Sequence, residues 1–65
     1  MSELSNTMIQ NKIESFTSDN YERSLLRKRF IEGKTYAELR IVNTPGHTVD
    51  PDLKVIRSFE KFMAN

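Results

Sequence analysis

The chain has 65 residues and a net charge of +1, with 37% hydrophobic residues, 29% charged residues and no cysteine. A domain of this size buries only about 60% of the surface that its unfolded chain exposes, which limits the chain to one domain and disfavours most enzyme scaffolds. The lack of cysteine excludes disulfide bonds and thiolate zinc sites as sources of stability. We therefore expect residues 1–65 to form a single helical domain without catalytic activity, stabilised by helix packing or by a partner subunit.

Neither a secretion signal nor a membrane segment is predicted. Residues 1–8 lack the basic start and the apolar run of a signal peptide. Nowhere do about 18 apolar residues follow one another, as a membrane-spanning helix requires. A cytoplasmic location without a membrane partner is the expectation.

Two helices are predicted in the first half of the chain. The first, over residues 4–16, has apolar residues at spacings of three and four, with Ser2 or Ser5 as its N-cap. Residues 17–20 are polar cap formers that end this helix and start the next. The second helix is predicted over 19–32, and Gly33 suits the left-handed position that closes a helix.

Two interpretations are open for residues 36–49. Thr35 and Glu38 fit a capping box, in which each side chain satisfies an amide at the start of a helix, and this predicts a short helix over 35–43. Apolar residues at 37, 39 and 41, followed by a Pro-Gly turn at 45 and 46, also suit a β-hairpin. The helix is favoured because an isolated two-stranded ribbon is only marginally stable.

A last helix is predicted over residues 51–63. Asp50 supplies an N-cap, and Pro51 occupies the first helical position, where its missing amide costs nothing. At 100° per residue, Lys54, Arg57 and Lys61 fall within a stripe about 60° wide, apart from the apolar side of the helix. This basic stripe is the most distinct surface feature that the sequence predicts.

Residues 27–42 resemble part of the carboxy-terminal, promoter-reading domain of bacterial sigma factors and of related small phage transcriptional regulators. The likeness rests on an aromatic residue, an acid and a Gly at 30, 32 and 33, followed by the capped Thr35-Tyr36-Ala37-Glu38-Leu39. The four predicted helices make an all-α domain, and the resemblance implies that the last three form a helix-turn-helix-like arrangement. Residues 1–20 would then be an N-terminal helix with its connection, and residues 21–65 the helix-turn-helix-like part.

The resemblance implies a small, noncatalytic regulator of transcription, of bacterial or phage type, that binds double-stranded DNA. Phosphate contacts are assigned to Arg27, Lys28, Lys34 and Arg40, and contacts to bases or the adjacent backbone to Lys54, Arg57, Ser58 and Lys61. The stripe holds only three cations, whereas site-specific binders neutralise about 6–10 phosphates. A homodimer on a two-fold operator is therefore also expected.

A second hypothesis is a protein-binding function. Val55, Phe59, Phe62 and Met63 span about 100° of the last helix, which is wider than the core of so small a protein needs. Through this side, a phage-encoded inhibitor or adaptor would dock on a host transcription or defence protein such as RNA polymerase.

Residues 44–47, Thr-Pro-Gly-His, resemble the zinc-ligand loop of the metallo-β-lactamase superfamily. A zinc hydrolase needs several further His and Asp ligands, and His47 is the only histidine of the chain. Ordinary turn chemistry accounts for the Pro-Gly pair. We therefore expect no metal site, no cofactor and no catalytic residue.

Overall fold

The described part of the chain holds three helices: α1 (Asn6–Phe16), α2 (Asn20–Phe30) and α3 (Pro51–Ala64). They are seen in a computed structural model that describes residues 5–42 and 50–65. Within those two ranges no strand is present, so the described part of the domain is all-α. Four predicted features lie outside the described residues: the alternative N-cap Ser2, the start of the first helix at residue 4, the Pro-Gly turn and His47.

Each helix begins where the sequence offers a side-chain cap. Ser5, Asp19 and Asp50 accept hydrogen bonds from amides of the following turn at 3.2, 2.8 and 2.8 Å. Of the two predicted caps for α1, Ser5 is the one that the structure uses. Helices predicted at 19–32 and 51–63 are confirmed with small differences at their ends, since α2 ends at Phe30 and α3 at Ala64.

The core joins all three helices around the ring of Phe59, which is fully buried. Its ring centroid lies 5.3 Å from that of Phe16 in α1, in an edge-to-face arrangement, and 5.0 Å from that of Phe30 in α2. Phe62 adds a fourth ring, 6.1 Å from Phe59 and 5.4 Å from Phe16. Aromatic contacts in this distance range contribute about 0.5–1.5 kcal/mol each beyond the area they bury. Aliphatic residues complete the buried core: Ile13, Leu25, Leu26, Ile41, Leu53 and Ile56.

Residues 35–40 form one capped helical turn. The predicted capping box is present: the Thr35 amide donates to Glu38 Oε1 at 2.7 Å, and the Glu38 amide donates to Thr35 Oγ1 at 3.1 Å. The turn then closes at once, because the Ile41 amide donates to the Tyr36 carbonyl and the Arg40 amide to the Ala37 carbonyl. These two bonds make a Schellman closure, with Arg40 in the left-handed conformation at φ 60°.

The prediction of a fourth helix over 35–43 is therefore wrong for the described residues 35–42. Closure at Arg40 directs Ile41 into the core, where only 6% of its surface is exposed. The next amide, that of Val42, donates to Asp50 Oδ2 at 3.1 Å instead of to a helical carbonyl. Residues 36–42 are not a strand either, so the alternative of a hairpin beginning at 36 is not seen in the described part of the chain.

A membrane-spanning helix is not found among the described residues, because none of their helices has both the length and the apolar character to cross a bilayer.

Replacing Phe59 by Ala should lower the free energy of unfolding by about 3–5 kcal/mol, because it removes the ring that all three helices contact. Thermal unfolding followed by circular dichroism measures the change. Val42→Ala is the control, since Val42 is 60% exposed and its truncation should change stability by no more than about 0.5 kcal/mol. Equal effects of the two substitutions would contradict the assigned core.

The two left-handed positions within residues 5–42 and 50–65 predict substitution effects of opposite sign. Gly33→Ala should destabilise by about 1 kcal/mol, because Gly33 has φ 75° although an added Cβ would meet no atom within 4 Å. Arg40→Gly should stabilise by about 0.5–1 kcal/mol by relieving the left-handed strain. Ala37→Gly in the same turn serves as control and should destabilise. Chemical denaturation measures all three, and loss of stability in Arg40→Gly would refute the closure described.

Candidate nucleic-acid interface

The exposed face of α3 carries the basic stripe that the sequence predicts. Lys54, Arg57 and Lys61 are all exposed, and we call them the outer stripe. With 3.6 residues per turn, they project opposite the buried side of the helix, which holds Leu53, Ile56 and Phe59. Ser58 is exposed beside them. The stripe thus faces away from α1 and α2 and is open to a partner.

The four residues predicted to form a protein interface are distributed differently. Phe59 has no exposed surface and forms the centre of the core, so the prediction that it contacts a partner is wrong. Val55, Phe62 and Met63 are half-buried and pack against the same core. Internal packing therefore accounts for most of the aromatic side of α3, and docking on a host protein stays a prediction without added support.

The cations predicted to hold phosphates lie apart from the outer stripe. Lys28, Lys34 and Arg40 line one cleft of about 660 Å³, which we call the α2 cleft because α2 forms one wall. The other walls are the capped turn and the start of α3, through Leu39 and Asp52. Arg27, half-buried in the last turn of α2, is not among the lining residues. The predicted basic residues therefore do not form one surface, since three lie in the outer stripe, three line the α2 cleft and Arg27 belongs to neither.

Two carboxylates of the α2 cleft take part in hydrogen bonds of the fold. Glu38 accepts from Thr35 in the capping box, and these bonds lower the pKa of its carboxyl below the ordinary value of 4.5. Asp52 accepts from the Tyr21 hydroxyl at 2.6 Å, and this bond raises the pKa of Tyr21 above 10.0. Tyr21 therefore stays protonated at neutral pH, and its ring is tied to the start of α3.

Two arginines that sequence reasoning left without a role stabilise the fold. Arg23 donates from Nε to the Thr17 carbonyl at 2.8 Å and from Nη2 to the Glu14 carbonyl at 3.2 Å, which satisfies the end of α1. Arg29 donates to the Lys34 carbonyl at 3.0 Å, and its guanidinium lies 4.7 Å from the centre of the Tyr36 ring. Nothing in the sequence pattern distinguishes them from the other basic residues of α2.

A metal centre is not apparent in the described ranges, where no group of three or more His, Cys, Asp or Glu side chains is placed to hold an ion. Comparison of the chain with protein families, with curated proteins and with solved structures finds no match.

The start of α3 should respond to pH through Asp50. Hydrogen bonds from the amides of Val42 and Asp52 lower the pKa of Asp50 below its ordinary value of 3.8. The charged form therefore stabilises the fold above about pH 4, and this contribution is lost as the pH falls through the lowered pKa. Asp50→Asn should accordingly be less stable than the parent at pH 7, with a difference that narrows below pH 4.

Thermal unfolding of both proteins between pH 7 and pH 2 checks this prediction. Glu60→Gln is the control, because Glu60 lies exposed on α3 away from its N-terminal cap. A difference between Asp50→Asn and the parent that stays constant over the whole pH range would contradict the role of the charge.

Proposed function

We propose that this chain is a small, noncatalytic DNA-binding regulator of transcription that contacts double-stranded DNA through the outer stripe of α3. The observation that carries the proposal is the placement of Lys54, Arg57 and Lys61 on one exposed face, opposite the core. Cations spaced along one side of a helix can reach successive phosphates or the base edges of a major groove. Ser58 adds a hydroxyl that can donate or accept on the same face.

In this proposal the capped turn and α3 act as a shortened helix-turn-helix, with α3 as the helix that enters the groove. The packing of Tyr36 and Ile41 supports this, because it fixes the capped turn against the core to which α3 contributes. The hydrogen bond from the Val42 amide to Asp50 joins the turn to the start of α3. The likeness of residues 27–42 to promoter-reading domains gives the regulatory assignment, and a bacterial or phage source follows from the same likeness.

The number of cations favours binding as a homodimer. One outer stripe neutralises about three phosphates, which corresponds to a slope of log K against log salt near −3. Two copies would neutralise about six phosphates, which reaches the range of site-specific binders, and would suit a two-fold operator. The other predicted cations lie on other surfaces of the same chain, where they raise the positive potential near the duplex: Arg27, Lys28, Lys34 and Arg40.

Reversing the charge of Arg57 should weaken duplex binding by at least about tenfold, because a phosphate contact is replaced by repulsion. Fluorescence anisotropy with a labelled, mixed-sequence duplex at about 50 mM salt measures the affinity. Lys12→Glu is a matched control, since Lys12 is an exposed cation of α1 and its substitution changes the net charge equally. The control should bind nearly as the parent does.

The salt dependence tests the same proposal by a second route. Affinity of the parent should fall steeply between about 50 and 200 mM salt, and Arg57→Glu should show a shallower slope. An affinity that is indifferent to salt, or equal losses in Arg57→Glu and Lys12→Glu, would overturn the outer stripe as the interface. Absence of any duplex binding at low salt would overturn the proposed function itself.

A further inference from the structure

The α2 cleft presents an aromatic ring that is both exposed and held in place. Tyr21 is 61% exposed, although large apolar rings are usually buried in small domains. Its hydroxyl donates to Asp52 at 2.6 Å, so the ring is fixed between the starts of α2 and α3. A fixed, exposed ring at the edge of a cleft is a surface on which a planar group can stack.

Three cations from three different segments line the same cleft. Lys28 comes from α2, Lys34 from the connection that follows Gly33, and Arg40 from the end of the capped turn. Three carboxylates share the lining, those of Glu32, Glu38 and Asp52, so the formal charge of the cleft is zero. A simple anion is therefore a poor match for the cleft as a whole. A ligand that carries an anionic group together with hydrogen-bond donors satisfies both kinds of side chain.

The backbone at Arg40 adds an independent reason to regard the cleft as a binding site. Arg40 holds a left-handed conformation that glycine adopts without strain, and among the described residues the chain uses glycine at the other left-handed position, Gly33. Burial of Ile41 supports the left-handed closure, and the exposed side chain of Arg40 takes no part in that packing. Because the closure itself does not require this side chain, its guanidinium can contact a ligand at the cleft.

We infer that the α2 cleft binds a nucleotide, with its base stacked on Tyr21 and its phosphate held by Lys28, Lys34 and Arg40. Glu32 lines the cleft and can accept a hydrogen bond from a ribose hydroxyl or from an amino group of the base. The volume of about 660 Å³ lies within the range of small-molecule sites. This inference is independent of duplex binding by α3, because the outer stripe lies on another surface.

Titration of the ¹⁵N-labelled protein with AMP, followed by amide chemical shifts, tests the site. AMP should shift amides near Tyr21 and near Arg40 together, whereas adenosine and inorganic phosphate should each bind at least about fivefold more weakly. The same titration with a single-stranded oligoadenylate identifies the source of the nucleotide. Tighter binding of the oligomer indicates a strand, and tighter binding of AMP indicates a free nucleotide.

Two variants separate the roles of the ring and the cation. Tyr21→Ala should weaken AMP binding by about fivefold or more, so that the affinity for AMP approaches the affinity for inorganic phosphate. Arg40→Gly should weaken AMP binding by about tenfold while raising stability, so the loss cannot be ascribed to unfolding. Lys12→Gln is the control, since Lys12 is exposed on α1 and does not line the cleft, and this variant should bind AMP as the parent does.

The inference is overturned if about 10 mM AMP leaves the cleft amides unshifted, because a Kd near 1 mM would be visible at that concentration. It is also overturned if phosphate alone binds as tightly as AMP and Tyr21→Ala has no effect, which would reveal an anion site only. Both results would leave the duplex binding proposed for α3 untouched.

Discussion

The ring of Phe59 is the contact on which the rest of the structure depends. It touches one aromatic ring from α1 and one from α2, so the three helices meet at a single side chain of α3. A domain of 65 residues has little other apolar material with which to fix the rotation of a helix about its axis. Because Phe59 must point inward, the residues on the opposite side of α3 must point outward. The direction of the outer stripe is thus a consequence of the core.

Much of the local structure could be predicted from the sequence because it depends on short-range chemistry. The caps at Ser5 and Asp50, the capping box of Thr35 and Glu38, and a break after α2 are all encoded within a few residues of where they act. The basic stripe of α3 was predictable for the same reason, since helical periodicity alone places its members on one side. Predicting these features requires no information on how the helices pack.

Other features depend on tertiary packing and carried no signal in the sequence. The capping box indicated that a helix would start at Thr35, but burial of Ile41 and closure at Arg40 ended it after one turn. Arginine has no preference for a left-handed conformation, so nothing marked position 40 as a stop. The bond between Tyr21 and Asp52 joins residues 31 positions apart, and the α2 cleft exists only because α2 and the start of α3 meet there. The burial of Phe59, which was predicted to face a partner, has the same origin.

The hydrogen bond between the Val42 amide and Asp50 also bears on how the chain tolerates changes in length. It holds together two residues that lie eight positions apart, Val42 and Asp50. Closure entropy grows only slowly with length, and doubling the number of residues between two fixed ends costs about 0.6 kcal/mol. Residues added between Val42 and Asp50 would therefore cost little closure entropy as long as this hydrogen bond is kept.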